Sequence, residues 1–143
     1  MAQRPASADA EKAIRQHYLG QRVLIVDDEP VNREVAKMLL EDSGLVIDTA
    51  EDGAKAITLV QETAYAAILM DMQMPKLNGL EATRAIRQIP GYGHISIIAM
   101  TANAFAEDKA RCFAAGMNDF LIKPFEPDQL FDTLLRSLDR RAA

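Results

Sequence analysis

Four short stretches of this 143-residue sequence carry groups that can do chemistry together: the acid pair Asp27-Asp28, the acid Asp71, the hydroxyl of Thr101 and the ammonium of Lys123. Each closes an apolar run. Val23-Leu24-Ile25-Val26 ends in Asp27-Asp28-Glu29, Ala66-Ala67-Ile68-Leu69-Met70 ends in Asp71, Ile95 to Met100 ends at Thr101, and Phe120-Leu121-Ile122 ends at Lys123-Pro124. Singly, these residues have ordinary explanations: Asp starts turns and caps helices, Thr favours strands, and Lys is usually a solvated charge. Jointly they describe a site, because parallel strands bring all their carboxyl ends to one edge. Three carboxylates there carry a formal charge of about −3, which a divalent cation and one lysine together reduce to about zero.

The runs themselves are of the length and closure that mark strands buried on both faces. Between them the sequence supplies helices. Pro30, with acids just before it, favours a helix start, Val31, Val35, Met38 and Leu39 recur at helical spacing, and Ser43-Gly44 stops the pattern. Leu45 to Ala50 is a shorter, half-apolar strand, and Asp52 caps a helix carrying Ala56, Ile57 and Val60. Asn78 caps the next, with Leu80, Thr83 and Ile86 facing inward, and Pro90-Gly91 with Gly93 punctuates its end. A helix with Phe105, Cys112 and Phe113 stops at Gly116, and the closing helix from Glu126 places Leu130, Phe131, Leu134, Leu135 and Leu138 on one stripe. Five strands alternating with five helices describe an α/β domain, a doubly wound, five-stranded parallel sheet with helices on both faces; crossover handedness leaves few topologies, and the flavodoxin-like order 2-1-3-4-5 is the one favoured. Ligands in such sheets bind beyond the carboxyl ends of the strands, where the polar groups converge. Residues 1–20 read as a linker or disordered lead holding a short helix from Asp9 to Leu19, residues 21–139 as the domain, and 140–143 as a tail.

Composition narrows the function. With 49% hydrophobic and 26% charged residues the chain fits one globular domain, and a net charge of −5 argues against a nucleic-acid partner. The single cysteine, Cys112, forms no internal disulfide and reads as a small core hydrophobe. No apolar run approaches a membrane span or a signal peptide, so residence in the cytoplasm, with no membrane in this segment, is the expectation. His17 and His94 lack Cys, His or acid partners at ligand spacing, and Gly91-Tyr92-Gly93 precedes a strand instead of following one, so it reads as a turn rather than a phosphate loop.

Asp27-Asp28, Asp71 within Met70-Asp71-Met72-Gln73-Met74-Pro75, Thr101-Ala102 and Lys123-Pro124 resemble the signature of the response-regulator receiver domain over roughly Gln21 to Leu138. The longer stretches, including Asn78-Gly79 and Met100-Thr101-Ala102-Asn103-Ala104, look most like receivers attached to hybrid sensor histidine kinases. The resemblance implies that Asp71 accepts a phosphoryl group from a phosphohistidine, in a reaction the domain itself catalyses, as it does the dephosphorylation. It implies that Asp27, Asp28, Asp71 and the backbone carbonyl of Gln73 hold Mg²⁺. It makes Lys123 and Thr101 the groups that meet the phosphoryl oxygens, and Thr101 with Phe120 the switch. Many members carry tyrosine where Phe120 stands, so an outward hydroxyl bond is lost here while ring rotation is not. Mg²⁺ suits an all-oxygen site, and charge stabilisation of this kind dominates phosphoryl transfer.

The main rival, a haloacid-dehalogenase-like aspartyl-phosphate phosphatase, needs a second acid two positions after the nucleophile. Gln73 stands there, and its amide shuttles no proton at neutral pH. Further expectations follow from the resemblance: a cis Lys123–Pro124 bond, coupled movement of Thr101 and Phe120 that reshapes the surface between Phe105 and Leu138, and a partner that is a sensor histidine kinase or a histidine phosphotransfer domain, with a homodimer as an option. Because the chain stops soon after its last helix, a relay is expected rather than a transcription factor.

Overall fold

Parallel pairing of five short strands organises the molecule. In this computed structural model, which describes residues 6–72, 74, 78–102, 106–123 and 126–142, they are β1 (Arg22–Val26), β2 (Val46–Ala50), β3 (Ala67–Asp71), β4 (Ser96–Thr101) and β5 (Asp119–Ile122). Their order is β2-β1-β3-β4-β5, the order favoured among the few that the alternation of runs leaves open. The helices are α1 (Ala6–His17), α2 (Pro30–Asp42), α3 (Gly53–Glu62), α4 (Gly79–Arg87), α5 (Ala106–Ala115) and α6 (Pro127–Ala142). Side chains alternate across the pleat, so each strand feeds two cores. Val23, Ile25, Leu69, Ile98 and Met100 pack with α1, α2 and α6, whereas Leu24, Ile68, Met70, Ile97 and Ala99 pack with α3, α4 and α5. Burial on both faces is why the strands are apolar runs without alternation.

Local chemistry fixes the helix starts near the site. Asp52 accepts from the Lys55 N–H at 2.8 Å, and Asn78 forms a capping box with Glu81, accepting from its N–H at 3.0 Å. Pro30 occupies the first turn of α2, where its missing N–H costs nothing.

Two helices depart from the sequence reading. α1 begins at Ala6, earlier than the expected Asp9, and it docks: Ala10 and Ile14 are buried, in the core formed with Leu130, Phe131, Leu134 and Leu138 of α6. About three turns of helix with two buried apolar residues looked like a lead segment because the partner face lies more than a hundred residues away. In α2 the stripe of Val31, Val35 and Met38 faces solvent, at 72%, 45% and 62% exposure, while Ala36 and Leu40 are buried. Helical spacing identifies residues that share a face, not which face turns inward. Here the small Ala36 and the fully buried Leu40 let α2 sit against the sheet.

Candidate functional site

Strand register brings the chemistry together. Val26 pairs with Met70, Asp71 with Met100, and Thr101 with Ile122, so the residues that end β1, β3, β4 and β5 share one edge. Backbone bonds continue past the strands and hold the loops in line: Asp27 N–H to Ala50 O at 3.1 Å, Met72 N–H to Met100 O at 2.9 Å, and Lys123 N–H to Thr101 O at 2.7 Å. The side chains that emerge are therefore placed by the sheet rather than by flexible loops.

Lys123 bridges two acids. Its Nζ lies 3.1 Å from Asp27 Oδ2 and 3.1 Å from Asp71 Oδ1, and the two carboxylates are almost wholly buried, at 1% and 3% side-chain exposure. Burial of the ammonium opposes its charge, but hydrogen bonding and attraction to Asp71 and Asp27 outweigh this and raise its pKa above the ordinary lysine value. Asp27 Oδ1 in turn accepts from the Glu29 N–H at 2.9 Å, and Arg33 donates to the Asp27 carbonyl at 2.8 Å. One carboxylate oxygen from each of Asp27, Asp28 and Asp71 lies within 4.8 Å of the other two. Three carboxylates and one ammonium leave a formal charge of about −2, a hard, all-oxygen set that fits a divalent cation such as Mg²⁺. Thr101, at 7% exposure, ends β4 beside them.

The structure thus brings Asp27, Asp28, Asp71 and Lys123 into one cluster and sets Thr101 at its edge. Phe120 lies further back, half-buried on β5 against the core under α5. Gln73, Asn103, Phe105 and Pro124 lie outside the described residues, and with them the Gln73 carbonyl ligand and the cis Lys123–Pro124 bond.

Sequence reading missed the role of Gly79 and missed Arg33 altogether. Gly79 runs against the backbone of the acceptor loop, where an added Cβ would sit 2.9 Å from Met72 Cα and closer still to the Asp71 carbonyl oxygen. Glycine there allows α4 to start directly behind Asp71. Arg33 steadies the acid pair through a carbonyl, and only its position one turn into α2 hinted at this. Cys112 is buried, as expected, with Sγ 3.7 Å from Met72 Sδ.

Known proteins resemble this chain in sequence and in fold. The chain is 38% identical over 127 residues to hybrid signal transduction histidine kinase B of Dictyostelium discoideum, covering 81% of this chain and 6% of that protein. It spans between 6% and 13% of the length of the curated relatives it matches. Among solved structures it resembles the receiver domain of a sensor histidine kinase from Pseudomonas aeruginosa PAO1 with a magnesium ion coordinated in the active site cleft, at 41% identity and TM-score 0.79, covering 84% of this chain and 98% of that one. It also resembles the Saccharomyces cerevisiae receiver domain of Ssk1, crystallised with the histidine phosphotransfer protein Ypd1, at 27% identity and TM-score 0.81, covering 87% and 93%. A family profile described as the response regulator receiver domain matches residues 23–135, nearly all of the sheet and its helices. That match covers most of the chain, and with these relatives it shows that the chain belongs to the response regulator receiver domain family.

Proposed function

We propose that this domain accepts a phosphoryl group from a phosphohistidine donor onto Asp71 and passes the signal on by protein contact. The observation that carries the reading is the position of Asp71: buried at the end of the central strand, bridged by Lys123 to a second buried acid. An Asp71 carboxylate oxygen forms the new bond to phosphorus while the bond from phosphorus to the imidazole nitrogen breaks, and the pair of electrons leaves with the imidazole. Lys123 offers its ammonium to a phosphoryl oxygen at the end of its bridge from Asp27. Thr101 offers its hydroxyl to another, and its inward movement, followed by Phe120, changes the surface that partners read. Asp27, Asp28 and Asp71, together with the Gln73 carbonyl, are the groups that would hold Mg²⁺, which when bound neutralises charge on the transferring group. The receiver portion spans residues 21–139, with α1 packed onto it, and works in the cytoplasm; no helix among the described residues is long and apolar enough to cross a membrane.

The partner is a sensor histidine kinase or a histidine phosphotransfer domain. The exposed stripe of Val31, Val35 and Met38 runs along α2, which starts just after Asp27-Asp28, so it offers an apolar docking face beside the acceptor. Specific contact of this kind needs a desolvated apolar centre. The Ssk1 receiver pairs with a histidine phosphotransfer protein, and the likeness of fold supports the same class of partner here. Nucleic acid plays no part in this reading, since the charge is −5.

The test is to charge the domain chemically and add histidine phosphotransfer proteins from the same organism. Label should appear on a partner histidine, and Val35→Lys should slow transfer at least about tenfold while leaving chemical labelling unchanged. If no partner accepts label and the phosphorylated form binds a promoter sequence instead, the relay reading is wrong.

A further inference from the structure

Phe120 has no hydroxyl, so no hydrogen bond can hold its side chain in either of two positions. What the ring offers instead is the negative charge density of its face. The structure sets a cation against that face: Lys109 Nζ stands 4.5 Å from the Phe120 ring centroid, inside the range of a cation–π contact. Phe120 belongs to β5, where it pairs with Ala99, two residues before Thr101 on the neighbouring strand. Lys109 belongs to α5, which covers that part of the sheet.

Helix energetics do not account for Lys109. It is the fourth residue of α5, and a cation in the first turn meets the positive end of the helix dipole. Among the described residues no carboxylate pairs with it. The ammonium therefore sits where the helix opposes it and where the ring is its only described partner.

We propose that Lys109 is a positioning residue that clamps Phe120 in its unphosphorylated place, so that the switch must release this contact when Asp71 is phosphorylated. The proposal rests on the reading of Thr101 and Phe120 as a coupled switch. A contact made in one state only biases the equilibrium toward that state, and by linkage it weakens, by the same factor, the affinity of any ligand that favours the other. A cation–π contact at a half-exposed ring corresponds to about a two- to fivefold bias. The clamp would keep a phenylalanine switch quiet in the absence of signal, using the ring face where a hydroxyl is missing.

The test uses beryllium fluoride with Mg²⁺ as a phosphoryl mimic, titrated by calorimetry into the whole chain and into Lys109→Met, Phe120→Leu and the double variant. Lys109→Met should bind the mimic about two- to fivefold more tightly than the parent, and Lys109→Arg, which keeps the cation, should bind as the parent does. In the Phe120→Leu background the Lys109→Met gain should vanish, since no ring remains to hold. An equal gain in both backgrounds would mean that Lys109 acts through its general field on the acidic site, and the clamp would be refuted; no gain in either background refutes it too. A separate NMR measurement on ring-labelled phenylalanine follows Phe120 in the parent as the mimic binds. A ring that stays in place overturns the switch reading itself and the clamp with it. A moving ring together with unchanged Lys109→Met affinity overturns the clamp alone.

Discussion

The molecule withdraws charge from solvent at both ends of its sheet, almost wholly at one and partly at the other, and the two clusters are built on opposite plans. At the carboxyl edge Asp27 and Asp71 lie buried with a single ammonium between them, so negative charge is left over. At the amino edge the Arg87 guanidinium donates to Gly116 O, Tyr92 O and Ile95 O and to Asn118 Oδ1, at 2.6–2.9 Å. Every one of those acceptors is neutral. Burial lowers the Arg87 pKa from its ordinary value, yet its hydrogen-bonding capacity is filled, and it ties the ends of α4 and α5 to the starts of β4 and β5. Buried charge alone is thus no sign of function. What separates the clusters is that one is saturated and the other is short of positive charge, which a divalent metal ion can supply.

That contrast can be broken experimentally. Arg87→Met should cost the most stability, about 3 kcal/mol, because several acceptors lose a charged donor at once. Urea unfolding measures this, and chemical labelling of the folded variant should remain normal. A neutral effect on stability would erase the distinction from the structural side. Mg²⁺ should act only at the other end, stabilising the parent by about 2.7 kcal/mol when present at a hundred times its dissociation constant. Asp28→Asn should raise stability in metal-free buffer by about 1 kcal/mol through relief of like-charge repulsion, and should blunt the response to Mg²⁺. An acid cluster that loses stability on such neutralisation would not be short of positive charge.

The smallest effect is expected where charge is neither buried nor crowded. Tyr18, which follows α1, donates its hydroxyl to Asp139 of α6, and this bond, with burial and the nearby negative charge, pushes its pKa up to about 12. A raised pKa means that the contribution is full below the ordinary value of 10.0 and is lost as pH climbs through about 12. Burial also raises Tyr65 and Tyr92, so all three tyrosines titrate late; tyrosinate absorbance should lose one of these groups in Tyr18→Phe, and the loss of stability over that window should be slightly smaller in the variant than in the parent.

How much of this was legible in the sequence depended on whether the cause was local. Strands β1, β3, β4 and β5 announced themselves as apolar runs closed by a polar residue, and Asp52 and Asn78 marked helix starts through bonds to residues three positions on. Convergence of Asp27, Asp28, Asp71 and Lys123 followed once the strands were parallel. The orientation of α2, the docking of α1 on α6, the burial of Arg87 and the seat of Lys109 on Phe120 did not, because each depends on a partner many residues distant. Val31, Val35 and Met38 are the clearest example: their spacing is as regular as that of the core-facing stripe on α6, and only the packed sheet decides that Leu40 turns in while Met38 turns out. Gly79 was quoted as part of a motif, but its reason, the close passage of the Asp71 backbone, is a fact of three dimensions.

The central claim is that Asp71 alone accepts the phosphoryl group, and it can be tested in one measurement. The chain is incubated with phosphoramidate and Mg²⁺, its intact mass is recorded, and the adduct is located by peptide mapping. One phosphoryl group on Asp71 is the predicted result, absent from Asp71→Ala and absent when the metal is chelated. A phosphoryl group retained by Asp71→Ala at the parent's level, or mapped to any other residue of the parent, would contradict the account.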